Sequence, residues 1–281
     1  TTYLKKYFPD DDINESVTTV MLNVMGYASK LGRDINIIEI YKELRALDSP
    51  DAMSKWFNEY ILGDKINKKI ILDSKFHNKL LLNKRKPFGY KKITGTALGD
   101  ILMVDSFKSE FAAYARLCGL QMPILDPKYI NAGVILEPKI LEKVEQSLGE
   151  KLKRFNAQEY QYDYFKENEI FGGLPDGYAE SRKKIIEIKT TNEKNYEYWT
   201  TKNIPIGYIK QAQLYTYLMR AKTFSIVAIF LKNEDYDDPS SVDVDKRIIK
   251  NFDFPLNVNQ VKDDMEKAKE WYEKYTKTGY S

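Results

Sequence analysis

The residues best placed to do chemistry lie between Gly172 and Thr190, which read GGLPDGYAESRKKIIEIKT. A Pro-Asp-Gly turn ends one extended run, Ile170–Tyr178, and a short polar loop follows. Ile185, Ile186, Glu187, Ile188 and Lys189 then alternate as a strand. Strand side chains alternate faces, so Glu187 and Lys189 share one face while Ile186 and Ile188 point into the opposite layer. If the two runs pair as a hairpin, Asp176 comes opposite Glu187. Two carboxylates and one ammonium then occupy one small region. That set suits phosphodiester hydrolysis, which needs an activated water, neutralised phosphate charge and help for the leaving oxygen. Paired carboxylates can hold magnesium, which polarises phosphate oxygens and lowers the pKa of bound water. A lysine can orient that water or stabilise developing charge. A Glu-x-Lys pair alone is common, and a solvated hairpin can carry one by accident. The Pro-Asp-Gly at hairpin distance gives the pattern its weight.

Composition narrows the alternatives. The 281 residues are 43% hydrophobic and 30% charged, as in an ordinary globular chain. Cys118 is the single cysteine, which excludes an intramolecular disulfide framework and a cysteine zinc site. His77 is the single histidine, so mechanisms built on histidine clusters are poor candidates. A metal here would sit on carboxylates, which suits a hard ion. The net charge is only +3, so a nucleic-acid partner must be held by local patches. No apolar run reaches the roughly 18 residues of a membrane span, and the start lacks a signal-peptide pattern. A cytoplasmic protein without a membrane partner is the expectation.

The elements that must position the trio read as follows. Residues 1 to about 80 have helical periodicity, over Ile13–Leu31, Ile35–Leu47 and a stretch through Trp56 and Tyr60. Asn83–Lys92 (NKRKPFGYKK) is a basic, loop-like segment. Helices are expected over Ala97–Val104, Ser109–Leu117, Ile209–Lys222, Asn259–Tyr275 and Gly133–Leu148, the last with Pro138 near its start. Phe224–Leu231 and Arg247–Phe254 read as further strands, with Gly119–Tyr129 and Asn233–Ser240 as loops. The expected architecture is α/β: a central mixed sheet flanked by helices, with the site at one edge. Residues 1–85 form a helical N-terminal extension and 86–281 the domain that carries the site.

Four segments in order resemble one family. Pro175-Asp176 with Glu187-Ile188-Lys189 resembles the PD-(D/E)xK nuclease core. Ala132–Pro138 (AGVILEP) is similar to the glycine-then-glutamate helix motif of the lambda-exonuclease and YqaJ-like viral recombinase group. Ile93-Thr94-Gly95-Thr96 is similar to that group's I-T-(A/G)-(S/T) motif, and Tyr208–Gln213 to its glutamine helix. Gln211 with Tyr215 also fits the Q-x-x-x-Y pattern of RecB-type nucleases; Gln213 with Tyr217 fits it equally. The resemblance spans about residues 88–275.

The resemblance implies a restriction-endonuclease-like core and an Mg²⁺- or Mn²⁺-dependent deoxyribonuclease with two ions. In it Asp176 and Glu187, with the Ile188 carbonyl, hold the first metal and Glu137 serves the second. Lys189 acts on the nucleophilic water, and Gln211 orients the site or the scissile strand. Thr94, Thr96, Arg85, Lys86, Lys91, Lys92 and Tyr215 are the candidate DNA contacts. The residue types alone also allow Glu137 as a surface glutamate near a helix start and Thr96 as a helix N-cap. Exonucleases of this group carry an arginine several residues before the I-T motif. Gly89 stands there, with Arg85, Lys86, Lys91 and Lys92 nearby. The implied substrate is double-stranded DNA with a free end, in recombination or repair and of phage or mobile-element origin. The implied partners are further copies of the chain or a single-strand annealing protein. A restriction-type endonuclease and a non-catalytic DNA-binding protein on a nuclease fold are the alternatives.

Overall fold

The computed structural model describes residues 2–63, 69–84, 88–201 and 204–280. Two compact units emerge. One comprises Thr1–Lys91, Glu110–Asp126 and Glu273–Ser281; the other comprises Lys92–Ser109 and Pro127–Tyr272. Among the described residues no helix is long and apolar enough to cross a membrane.

The first unit is helical. It holds α1 (Thr2–Lys5), α2 (Glu15–Ala28), α3 (Ile37–Leu44), α4 (Pro50–Trp56, continuing as a π-helical turn Phe57–Leu62) and α5 (Ser74–Leu82). Local sequence starts these helices. Asn14, Asn36, Ser49 and Asp73 each accept a backbone N–H of the first turn, and Pro50 fills the first helical position of α4. Val17, Val20, Met21 and Val24 bury one stripe of α2, whereas Met25 stays half exposed.

The second unit carries a five-stranded sheet in the order β1 (Lys153–Arg154), β2 (Gly177–Ala179), β3 (Lys184–Asn192), β4 (Thr223–Leu231) and β5 (Ile248–Pro255). β3 and β4 run parallel; the other neighbours are antiparallel. A parallel pair needs a crossover, supplied here by α9 (Tyr196–Thr201) and α10 (Ile206–Leu218). This unit also contains α6 (Gly95–Ile101), α8 (Lys128–Leu148) and the start of α11 (Val258–Thr278); α7 (Glu110–Leu117) belongs to the helical unit. The fold is a mixed sheet flanked by helices, as expected from sequence.

β3 is the middle strand, so Glu187 and Lys189 stand at the centre of the sheet and not on an edge strand. Ile186 and Ile188 join Ala132, Leu136 and Ile140 of α8 in one apolar cluster with Val227 and Ile229 of β4. Glu187 and Lys189 project from the opposite side of β3, next to the buried Ile185.

Three local expectations are corrected. Ile170–Tyr178 is not one strand: only Gly177–Ala179 pairs in β2, and Phe171 makes a single bridge to Ile93. The positive φ of Gly173 and the fixed φ of Pro175 break the run. The reversal therefore falls after Ala179, and Asp176 precedes β2 rather than ending a strand. Pro138 lies in the middle of α8, which already begins at Lys128. The carbonyl that Pro138 cannot satisfy belongs to Val134, which is exposed, so water can take the missing donor's place. Glu137 is consequently a mid-helix residue, away from the helix start.

Candidate active site

Asp176 reaches the site through strand register. β2 and β3 pair Gly177 with Ile186 and Tyr178 with Ile185, so one step further sets Asp176 across from Glu187. The ladder ends there, and the Asp176 carboxylate takes over: Oδ2 accepts the Ile188 N–H at 2.7 Å. The carbonyl of a strand residue points to the same side as its N–H. The Ile188 carbonyl therefore also faces the space beyond the end of β2.

The segment before Asp176 is pinned. Lys92 Nζ pairs with Asp163 Oδ2 at 2.7 Å and donates to the Phe165 carbonyl at 3.0 Å. Asp163 Oδ1 accepts the N–H groups of Phe165 and Gly173. Ile93 exchanges backbone bonds with Ile170 and Gly172. Gly173, at φ +127°, passes so close to the Tyr215 hydroxyl that a Cβ would stand 2.4 Å from it. These restraints carry the chain to Pro175 and Asp176 in one geometry.

Glu187 is completely buried. Its Oε2 accepts from Lys189 Nζ at 3.2 Å and from Gln211 Nε2 at 3.1 Å. Its Oε1 is buried with no hydrogen-bond partner, and an orphaned carboxylate oxygen is costly unless a cation or donor meets it. Glu137, Ile188 and Lys189 line one cleft of about 300 Å³, together with Gly133, Tyr129 and Tyr208. Burial, reinforced by the Asp176 charge, raises Glu187 to about 8. Burial and Asp176 likewise push Glu137 up to about 7. Asp176 is raised by burial as well. Burial opposes the charge on Lys189, but the Glu187 and Asp176 carboxylates outweigh it and hold the ammonium above the usual lysine value. Lys189 thus faces three carboxylates, with the Arg154 guanidinium adding a smaller pull on Glu137.

That imbalance is what a divalent ion would relieve. Among the described residues no three acidic, histidine or cysteine side chains already converge as a coordination shell; Glu187 accepts from Lys189 and Gln211, and Asp176 from the Ile188 N–H. The donor set still fits a hard cation: carboxylates of Asp176, Glu187 and Glu137, a strand carbonyl, and an unpartnered buried oxygen.

The remaining candidates separate. Gln211, not Gln213, faces the site; Gln213 bonds Gln260 and the Asn257 N–H instead. Tyr215 is buried, stacked on Phe165 at 5.9 Å with its hydroxyl accepting the Gly95 N–H, so it offers no ring to a base. The Q-x-x-x-Y spacing gives a shared helix face but not depth. Lys92 is spent on Asp163 and is no phosphate contact in this arrangement. Thr94, and not Thr96, caps α6, accepting the Ala97 N–H; Thr96 is exposed. Lys84 and Lys91 belong to the helical unit. Arg85 and Lys86 lie outside the described residues. Tyr208 was missed; it stands one turn before Gln211, and that i, i+3 spacing was the available signal.

Residues 83–221 match the YqaJ-like viral recombinase domain. "Uncharacterized protein MG373" of Mycoplasma genitalium is 28% identical over 233 residues, covering 68% of this chain and 83% of its own length. Its Mycoplasma pneumoniae homologue is 24% identical over 259 residues, covering 78% and 90%. The crystal structure of LHK-Exo in complex with dAMP, an alkaline exonuclease from Laribacter hongkongensis, superposes with a TM-score of 0.50 at 17% identity. The match covers 70% of this chain and 91% of that one, and it shows a common fold. The segment that brings Asp176, Glu187, Lys189 and Gln211 together lies within this YqaJ-like viral recombinase domain.

Proposed function

We propose that this protein is a divalent-metal-dependent exonuclease that hydrolyses DNA from duplex ends, with a role in recombination or repair. One observation carries the reading: buried Glu187, hydrogen-bonded by Lys189 and Gln211 and placed across from Asp176, keeps one carboxylate oxygen without a partner. Asp176, Glu187, the Ile188 carbonyl and Glu137 would hold one or two Mg²⁺ or Mn²⁺ ions. When bound, such ions polarise the phosphate and acidify water. Lys189 holds its proton firmly and offers a fixed positive charge to the attacking water or the developing phosphorane. Gln211 fixes the Glu187 carboxylate by its amide and so keeps that oxygen in place. The neighbour in complex with dAMP is itself an exonuclease bound to a mononucleotide, which supports a substrate of the same class. Further copies of this chain or a single-strand annealing protein are the partners that a recombination role calls for.

The test offers the protein linear duplex with and without 5′ phosphates, and closed circular DNA of the same sequence, in Mg²⁺. Progressive loss of the linear DNA with the circle spared is expected. Opening of the circle, or discrete internal fragments, would replace the exonuclease with an endonuclease.

A further inference from the structure

Lys189 is a desolvated ammonium on a flexible stem, its side chain only 14% exposed. Glu187 Oε2 restrains it from one direction at 3.2 Å, and that same oxygen also receives Gln211. A single shared acceptor does not fix a lysine head, which has three donors and several rotatable bonds. The Asp176 and Glu137 carboxylates also attract it. A second restraint is present. Lys189 Nζ stands over the ring of Tyr208, 5.2 Å from its centroid, within the range at which a ring face attracts a cation. Tyr208 is in turn backed by Trp199, 5.8 Å away at 58°, and the buried Trp199 packs edge-on against Phe230 of β4 at 5.8 Å.

The spacing explains why α10 can do this. Tyr208 and Gln211 are three residues apart on a helix and so share a face. Glu187 and Lys189 are two apart on a strand and so share a face. Laid along β3, α10 answers each strand residue with one helix residue: Gln211 with Glu187, Tyr208 with Lys189.

We propose that Tyr208 is a positioning residue for Lys189, its ring face holding the ammonium at the wall of the cleft beside Glu187. The ring does the work and the phenolic hydroxyl is dispensable. The kinetic consequence rests on the nuclease reading above; the contact itself does not.

Two measurements test it. In the first, Tyr208→Leu lowers kcat on linear duplex about tenfold with KM for DNA unchanged, and Tyr208→Phe restores it to within about twofold. In a Lys189→Ala background, Tyr208→Leu adds nothing, because the two act as one unit. A wild-type kcat for Tyr208→Leu, or an equal loss in both backgrounds, overturns the proposal. The second needs no activity. In protein carrying ¹³C-labelled lysine, with Lys189 assigned by its loss in Lys189→Arg, the Lys189 ε-methylene protons lie upfield through the ring current. They keep that position in Tyr208→Phe and return to the ordinary lysine position in Tyr208→Leu. An ordinary position already in the wild type overturns the contact. Should the wild type fail to cleave DNA, the nuclease reading falls and this second measurement alone decides the contact.

Discussion

Three carboxylates clustered about Lys189 resist ionising together, and this has a thermodynamic signature. Glu137 is raised from 4.5 to about 7, by burial first and by Asp176 second. A carboxyl whose folded pKa lies above its unfolded value contributes stability that is present below about 4.5 and lost as pH rises toward 7. In EDTA, the melting temperature of Glu137→Gln should therefore gain on the wild type between pH 5 and 7.5 and then level off. Each kcal/mol corresponds to about 2–4 °C in a chain of this size. A difference that does not change with pH would deny Glu137 its place beside Asp176. Lys189→Ala should lower turnover much more than DNA affinity, since the proposed function puts its charge at the reacting centre and not along the duplex; loss of affinity with normal turnover at saturation would make it a phosphate contact instead. Residue types and alternation alone were enough to group Asp176, Glu187 and Lys189. They were not enough for Tyr208, Lys92 or Tyr215, because what each side chain touches is decided by distant segments: Lys189, Asp163 and Phe165 respectively.

At the scale of elements, the site is assembled by a register and by one glycine. Period-two alternation made β3 legible, and with it the place of Asp176 across from Glu187, one step beyond the last paired residues Gly177 and Ile186. The stretch before β2 was misread as strand because its apolar residues carry no mark of the backbone path that Asp163 and Tyr215 impose on them. Gly173 is the point where that path is tightest, with φ +127° and the Tyr215 hydroxyl in the way of any Cβ. Gly173→Ala should cost about 1–3 kcal/mol through backbone strain alone, with the clash added to it. It should also lower kcat by shifting Pro175 and Asp176. Chemical denaturation and steady-state kinetics check both, and an alanine variant as stable as the wild type would show that the backbone there is free to relax. The long α8 was also partly hidden. Pro138 reads as a helix start, yet the exposed Val134 turn lets the helix run through it.

At the scale of the whole molecule, a net charge of +3 leaves no general attraction for DNA, so binding must come from the cleft and local basic groups. The helical unit, Thr1–Lys91 with Glu110–Asp126 and Glu273–Ser281, carries Lys84 and Lys91 but none of the carboxylates that define the chemistry. Asp176, Glu187, Lys189, Gln211 and Glu137, the residues of the proposed hydrolytic site, all lie in the sheet unit, where Asp176 bonds the Ile188 N–H and stands opposite Glu187. The most direct measurement is single-turnover degradation of an end-labelled linear duplex in Mg²⁺ by the wild type and by Asp176→Ala, with DNA binding measured separately in Ca²⁺. The wild type should digest the duplex, and Asp176→Ala should bind it normally yet cleave it about 100-fold or more slowly. Cleavage by Asp176→Ala at the wild-type rate would contradict the account.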